Sequence, residues 1–170
     1  PFSIRYPRGE GVMTEWKTPF KEIKIGTGRK VRSGTDIAVL SIGHIGNIAA
    51  KGIDALQAEG YSVAHYDMRF VKPIDELLLH EVFSKFKHVI TVEDHALHGG
   101  MGSAVLEFMG DHGYAAHVKR LAIPDKFIEH GTQAELYREC GIDAIAVVEA
   151  VKEMLGASAV GFGRAAGKRG

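Results

Sequence analysis

Apolar positions along the chain follow two periods, and the change from one to the other marks the predicted elements. Residues 37–42 are apolar apart from Ser41 and have the length of a strand, which predicts a strand covered on both faces in a parallel sheet. From Ile45 onward the apolar residues recur three and four positions apart, and Gly60 supplies the stop. The core therefore begins with a strand followed by an amphipathic helix.

The same alternation of strand and helix patterns continues through the rest of the chain. Further strands are predicted at residues 61–68, 88–92 and 117–123, and further helices at 74–86, 99–109, 132–140 and 143–155. Ahead of them, residues 21–25 and 29–32 have strand character around Gly26-Thr27-Gly28, which predicts an edge hairpin. Strands that alternate with helices indicate a three-layer α/β domain with a mostly parallel sheet.

Neither end of the chain carries a core pattern. Residues 1–21 mix proline, glycine and charged residues without periodicity, and the first residue is Pro1 rather than methionine. We expect these residues to be a linker from a preceding domain, and the chain to be a fragment of a longer protein. Residues 22–156 form the predicted domain, and we expect residues 157–170 to be a disordered tail.

Composition excludes several classes of function. Lys and Arg total 21 and Asp and Glu total 21, so no net field favours nucleic acid or a membrane surface. The apolar runs are far shorter than the roughly 20 residues that span a bilayer. The single cysteine, Cys140, cannot form an internal disulfide, which fits a reducing compartment. It also lies at a predicted helix exit, where the helix dipole disfavours a thiolate nucleophile.

A stiff segment near the start of the chain is the first candidate binding motif. Pro7 fixes its own backbone and favours an extended Tyr6, and Gly9 allows a turn that leaves the Arg8 guanidinium presented. A guanidinium fork held in this way suits a phosphate group. The alternative is an exposed linker in which Arg5 and Arg8 are a chance pair.

A second candidate, residues 67–75 (DMRFVKPID), lies where a predicted strand leads into a helix. Ligands of α/β sheets bind at this edge, and Arg69 and Lys72 are placed to bind an anion near the helix N-terminus. The alternative is a structural turn in which Arg69 pairs with Asp67 or Asp75.

A third candidate is the glycine-rich stretch at residues 92–103 (VEDHALHGGMGS), which precedes a predicted helix. Its glycines would let a phosphate approach, but neither the dinucleotide-binding nor the Walker pattern is present. The stretch also holds residue types that ligate metals, namely Glu93, Asp94, His95 and His98. A His-x-x-His pair without a third ligand at helical spacing is a weak metal motif. We therefore expect a tight turn at a domain or subunit contact, with the histidines as polar packing groups.

Five segments, taken in order, resemble the C-terminal domain of the 1-deoxy-D-xylulose-5-phosphate synthases, a family of thiamine-diphosphate enzymes in the transketolase superfamily. They are IRYPRG (residues 4–9), DMRFVKPID (67–75), VEDHALHGGMGSAV (92–105), LAIPDKFIEHGTQAEL (121–136) and ECGID (139–143). The resemblance runs from Ile4 to about Leu155. It implies a three-layer α/β/α domain whose mostly parallel five-stranded sheet carries one antiparallel edge strand.

Two other interpretations stay open. Transketolases and the β subunits of 2-oxoacid dehydrogenases share the architecture, although IRYPRG and DMRFVKPID are not expected together in them. Outside the superfamily, the chain would be a stand-alone, non-catalytic module that binds an anion or another protein.

The resemblance implies a specific reaction and a specific binding residue. Members of the synthase family join pyruvate to D-glyceraldehyde 3-phosphate, release carbon dioxide and form 1-deoxy-D-xylulose 5-phosphate. The resemblance implies that Arg8 contacts the phosphate of the acceptor aldehyde, with Arg5 and Tyr6 as further candidates in the same segment.

The resemblance also implies what this sequence lacks. Family members hold thiamine diphosphate and Mg²⁺ through a Gly-Asp-Gly…Asn motif in their first domain, and the glutamate that activates the cofactor comes from the middle domain. Neither is present here. We expect no catalytic residue, no cofactor-binding residue and no metal ligand in the chain, and no synthase activity from it alone. Its expected partners are the remaining domains of the same enzyme, a cytoplasmic bacterial homodimer.

Overall fold

The computed structural model describes residues 17, 19 and 21–156 of the chain, in which strands and helices alternate as predicted. The strands are β1 (Arg29–Arg32), β2 (Ile37–Ile42), β3 (Val63–Asp67), β4 (His88–Ala96) and β5 (His117–Ile123). The helices are α1 (Ile45–Ala58), α2 (Glu76–Lys85), α3 (Met101–Asp111), α4 (Gln133–Cys140) and α5 (Ala144–Met154). None of the described helices has the length and apolar character to cross a lipid bilayer.

The five strands form one sheet in the order β1-β3-β2-β4-β5. Strands β2 to β5 are parallel to one another, and β1 runs antiparallel to β3 at the edge. This mixed sheet with helices around it confirms the predicted fold class. Because the chain places β3 on one side of β2 and β4 on the other, a crevice opens between the carboxyl ends of β2 and β4.

Strand β2 lies at the centre of the sheet and is buried on both faces, as its apolar run predicts. Ile37 and Val39 pack with the apolar residues of α1 and α5 on one face. Ala38 and Leu40 pack with those of α2 and α3 on the other. Since a one-residue slip would exchange these two sets of side chains, the double burial also fixes the register of β2.

The largest differences from the predicted elements are at residues 21–25 and at the end of β4. Residues 21–25 form no strand, and an irregular segment with a turn at residues 25–26 replaces the predicted hairpin. Gly26 has a φ of +76° and lies against Pro73, and the Gly28 N–H donates to Asp75 Oδ2 at 2.8 Å. The loop between β3 and α2 therefore holds this segment in place of strand pairing. Strand β4 continues to Ala96 because that residue pairs with Ile123 of β5 after a shift in register.

The start of α4 is where the sequence predicts it. Thr132 accepts from the Glu135 N–H, and the Glu135 carboxylate accepts from the Thr132 N–H, which completes the capping box.

The predicted linker (1–21) and tail (157–170) lie outside the described residues, apart from residues 17, 19 and 21. Both stay predictions.

Candidate functional site

A cavity of about 390 Å³ opens at the carboxyl edge of the sheet, where the parallel strands end. Its walls are the ends of β2 and β4, the β3–α2 loop at Val71, and the glycine-rich loop before α3. Ile42 and Val71 line the cavity with apolar side chains, and His44 and His95 line it with polar ones. Ligand sites of open α/β sheets occupy this position, so the crevice is the candidate functional site.

A buried carboxylate closes the floor of this crevice at the start of α3. Glu93 is 1% exposed, and its two oxygens accept the backbone N–H groups of Met101 at 2.6 Å and Gly102 at 2.8 Å. A carboxylate at a helix N-terminus satisfies unpaired donors and the positive end of the helix dipole. The α3 N-terminus is therefore filled by the protein's own anion, and it is not free to cradle a phosphate.

The glycines of this loop make room for that carboxylate. A Cβ on Gly100 would lie 2.2 Å from Glu93 Oε2 and 2.8 Å from the Ala96 carbonyl oxygen. A Cβ on Gly102 would lie 2.6 Å from Thr91 Oγ1. The glycine-rich pattern thus serves close packing of β4 against α3, which is the tight turn expected from the sequence.

A hydrogen-bonded group of three side chains joins one wall of the crevice, at His44 and Asp94, to α4. His44 precedes α1, Asp94 lies in β4 and Tyr137 lies in α4. The Tyr137 hydroxyl donates to Asp94 Oδ2 at 3.1 Å and lies 2.5 Å from His44 Nε2. His44 Nε2 is also 3.2 Å from Asp94 Oδ2. The group holds α1, β4 and α4 together at the carboxyl edge.

A second buried polar pair lies beneath α1. Ser41 Oγ is 2.8 Å from His65 Nε2, and the two residues are 1% and 3% exposed. Burial lowers the pKa of His65 to about 4, against the opposing effect of Asp67. The imidazole is therefore neutral at neutral pH, and the pair joins β2 to β3.

The β3–α2 loop adopts the structural turn that the sequence allows as an alternative. Arg69 Nε lies 3.8 Å from Asp67 Oδ2, and its backbone has a φ of +58°. Asp75 accepts the N–H of Leu78 at 2.9 Å and therefore caps α2. Lys72 is exposed. The predicted anion site at the α2 N-terminus is thus occupied by the Asp75 side chain.

The other candidate groups offer no reactive site within the described part of the chain. Those residues contain no set of three or more His, Cys, Asp or Glu side chains placed to hold a metal ion. His95 and His98 are exposed, while Glu93 and Asp94 are held by the contacts given above. Burial, with the Glu139 carboxylate second, raises the pKa of the Cys140 thiol, which keeps it protonated.

The predicted phosphate-binding residues Arg5, Tyr6 and Arg8 lie outside the described residues, so their role stays a prediction. The described residues 21–28 lie beside the β3–α2 loop. Gly26 and Gly28 contact Pro73 and Asp75, which places these residues at the carboxyl edge.

Comparison with known proteins gives the family and the extent of the match. Residues 26–147 match the family model described as "Transketolase, C-terminal domain". A 1-deoxy-D-xylulose-5-phosphate synthase from Cytophaga hutchinsonii is 62% identical over 156 residues, which cover 92% of this chain and 24% of that protein. A synthase of the same name from Bacteroides thetaiotaomicron is 60% identical over 144 residues, which cover 84% of this chain and 22% of that protein. The chain spans about a quarter of the length of these curated relatives.

A solved structure has the same architecture. The inactive β4 tetramer of a split-gene transketolase superposes with a TM-score of 0.74 at 32% sequence identity. The superposition covers 80% of this chain and 44% of that chain.

Proposed function

Because this chain belongs to the transketolase C-terminal domain family, we propose that it is the C-terminal domain of a 1-deoxy-D-xylulose-5-phosphate synthase. The complete enzyme would join pyruvate to D-glyceraldehyde 3-phosphate, release carbon dioxide and form 1-deoxy-D-xylulose 5-phosphate. The observation that carries the proposal is 62% identity, over 92% of the chain, with a protein of that name. A transketolase is favoured less, since the transketolase structure is 32% identical.

In this proposal the chain supplies the group that binds the phosphate of the acceptor aldehyde. We assign that contact to Arg8, with Arg5 and Tyr6 as further candidates. The position of residues 21–28 supports the assignment, because they join the domain at the edge that carries the candidate site. A guanidinium fork forms charge-assisted, bidentate hydrogen bonds with phosphate oxygens.

Thiamine diphosphate and Mg²⁺ are the cofactors implied for the complete enzyme, in which the thiamine ring supplies the electron sink for decarboxylation. The described residues do not fit either group. The Glu93 carboxylate fills the N-terminus of α3 and would repel a diphosphate, and the described residues hold no three-ligand metal set. We therefore assign both cofactors to the other domains of a cytoplasmic, homodimeric enzyme.

The test of the function is the reaction catalysed by the complete polypeptide that contains this chain. With pyruvate, D-glyceraldehyde 3-phosphate, thiamine diphosphate and Mg²⁺, we expect carbon dioxide and 1-deoxy-D-xylulose 5-phosphate in equal amounts. Transfer of a ketol group between sugar phosphates without decarboxylation would assign the enzyme to the transketolases. Reductive acyl transfer to a lipoyl group would assign it to the 2-oxoacid dehydrogenases.

The Arg8→Ala variant of the complete enzyme tests the proposed phosphate contact. Loss of a charge-assisted contact of about 1.5–3 kcal/mol predicts that kcat/KM for D-glyceraldehyde 3-phosphate falls roughly tenfold to 150-fold. We expect the KM for pyruvate to stay within a factor of about two, since pyruvate carries no phosphate. Unchanged kinetics for the phosphorylated acceptor, or an equal loss with unphosphorylated D-glyceraldehyde, would contradict the assignment.

A further inference from the structure

One histidine of the candidate site uses only one of its two ring nitrogens within the domain. His44 lines the crevice between the ends of β2 and β4, and its side chain is 30% exposed. Its Nε2 lies 2.5 Å from the Tyr137 hydroxyl and 3.2 Å from Asp94 Oδ2. Its Nδ1 makes no hydrogen bond with any residue that the structure describes. Although His44 is the N-cap residue of α1, its side chain accepts no N–H group of that helix.

The contacts of Nε2 decide which ring nitrogen carries the proton. An ionised Asp94 can only accept, so the hydroxyl proton of Tyr137 is directed to Asp94 Oδ2, at 3.1 Å. An unprotonated Nε2 would then face the lone pairs of two oxygens at 2.5 Å and 3.2 Å, which is repulsive. Nε2 therefore carries the proton and donates to these oxygens. In the neutral ring of His44, Nδ1 is then an acceptor.

The same contacts hold the imidazole in one orientation. Asp94 belongs to β4 and Tyr137 to α4, so two elements fix the Nε2 side of the ring. The rings of His44 and Tyr137 lie 6.0 Å apart with 31° between their planes. When a carboxylate holds one nitrogen of a histidine, the other nitrogen is presented to a ligand in a defined position. A role in holding the three elements together requires Nε2 alone and gives no use to Nδ1.

The two proposed substrates differ in what they offer to an acceptor nitrogen. Pyruvate is a carboxylate with a ketone, and neither group donates a hydrogen bond. The aldehyde oxygen and the ionised phosphate of D-glyceraldehyde 3-phosphate are acceptors as well. The hydroxyl group on the middle carbon of this aldehyde is the donor among these groups, so it is the group that matches Nδ1 of His44.

We propose that His44 is a specificity-determining residue, whose Nδ1 accepts a hydrogen bond from the hydroxyl group of the acceptor aldehyde. The proposal rests on the proposed function, because it takes the substrate from it. It assigns the recognition of the carbon chain to His44, whereas the phosphate is assigned to Arg8.

The complete enzyme tests this proposal with two acceptors. One is D-glyceraldehyde 3-phosphate, and the other is 3-oxopropyl phosphate, which lacks only the hydroxyl group. The preference is the ratio of the two kcat/KM values, and we expect it to fall by about fivefold or more in the His44→Gln variant. The amide nitrogen of Gln takes the place of Nε2 and still donates to Tyr137 and Asp94, but nothing replaces Nδ1.

His44→Asn is the matched control. Its amide oxygen takes the place of Nδ1, but its shorter side chain withdraws the donor from Tyr137 and Asp94. We expect the Asn variant to have the lower melting temperature of the two and yet to keep more of the preference. A Gln variant with the wild-type preference, or a preference that follows the melting temperature, would assign His44 a structural role and overturn the proposal. If the Gln variant does not fold, loss of the preference in a folded Asn variant would overturn it.

The outcome is separable from that of the function assay. A wild-type enzyme that forms 1-deoxy-D-xylulose 5-phosphate, with a Gln variant of unchanged preference, would leave the proposed function standing and remove this role of His44. A wild-type enzyme that forms no such product from D-glyceraldehyde 3-phosphate would remove the proposed function and this inference with it.

Discussion

Side-chain oxygens accept backbone N–H groups at the N-termini of both α3 and α4, but in opposite settings. At α4 the cap is local and exposed: Thr132 and Glu135 are three residues apart and bond to each other's backbone N–H groups. At α3 the cap is buried and comes from another element, since Glu93 lies in β4 and bonds to N–H groups eight and nine residues ahead. The first cap strengthens one helix, whereas the second joins the sheet to a helix at the candidate site.

This difference sets how much each cap contributes to stability. An exposed cap competes with water for the same N–H groups, so its net contribution is small. A buried carboxylate is shielded from that competition, and its removal takes a charged acceptor from two buried N–H groups at once. The buried polar groups of this domain are therefore its most sensitive positions.

The largest effect is expected for Glu93→Ala. Two hydrogen bonds to a charged acceptor are lost and two donors stay buried, so the free energy of unfolding should fall by about 3–5 kcal/mol. Urea unfolding of the chain, followed by circular dichroism, measures the change. The Glu93→Gln control keeps one acceptor oxygen and should lose about half as much. A loss below about 1 kcal/mol for Glu93→Ala would show that the buried cap is no stronger than an exposed one.

Gly100→Ala tests how tightly the same cap is packed. The added Cβ would meet Glu93 Oε2 at 2.2 Å and the Ala96 carbonyl oxygen at 2.8 Å, so the carboxylate must shift away from the helix. We expect a loss of about 2–3 kcal/mol in the free energy of unfolding.

Gly110→Ala is the matched control within α3, because a Cβ there meets nothing within 4 Å. It should stabilise the helix by about 0.5–1 kcal/mol. Equal effects of the two changes would contradict the packing argument.

His65 extends the comparison to pH. Burial lowers its pKa from 6.5 to about 4, so the folded state favours the neutral ring more than the unfolded state does. The stabilisation is complete above pH 6.5 and is lost as the pH falls towards 4. Between about pH 7 and pH 5 this single group should remove roughly 2 kcal/mol from the free energy of unfolding.

The measurement is urea unfolding at both pH values. His65→Asn keeps a polar partner for Ser41 but does not titrate, so its loss over this range should be smaller by that amount. Identical pH dependence in both proteins would be inconsistent with a neutral, buried His65.

The same contrast between local and distant contacts explains what the sequence could predict. The apolar run of β2 and the Thr132–Glu135 spacing are local signals, and both lead to the observed elements. The Arg69 contact with Asp67 spans two residues and was among the predicted alternatives. The bond between His44 and Tyr137 spans 93 residues, and that from Gly28 to Asp75 spans 47. No spacing in the sequence signals such pairs, which is why the sequence predicts neither the polar group that links β4 to α4 nor the irregular segment at residues 21–28.

The smallest effect is expected for Thr132→Ala, at the exposed cap. The change removes the Thr132 hydroxyl, which donates to Glu135 Oε2 at 2.6 Å, and should lower the free energy of unfolding by about 1 kcal/mol. Hydrogen bonds from Thr132 lower the pKa of Glu135, so that pKa should also rise towards its ordinary value in the variant. Urea unfolding measures the first effect and NMR titration of the Glu135 side chain the second. Thr132→Ser retains the hydroxyl and should leave both nearly unchanged. A loss as large as that of Glu93→Ala would show that the exposed, local cap contributes as much to the free energy of unfolding as the buried cap from β4, which would contradict the comparison.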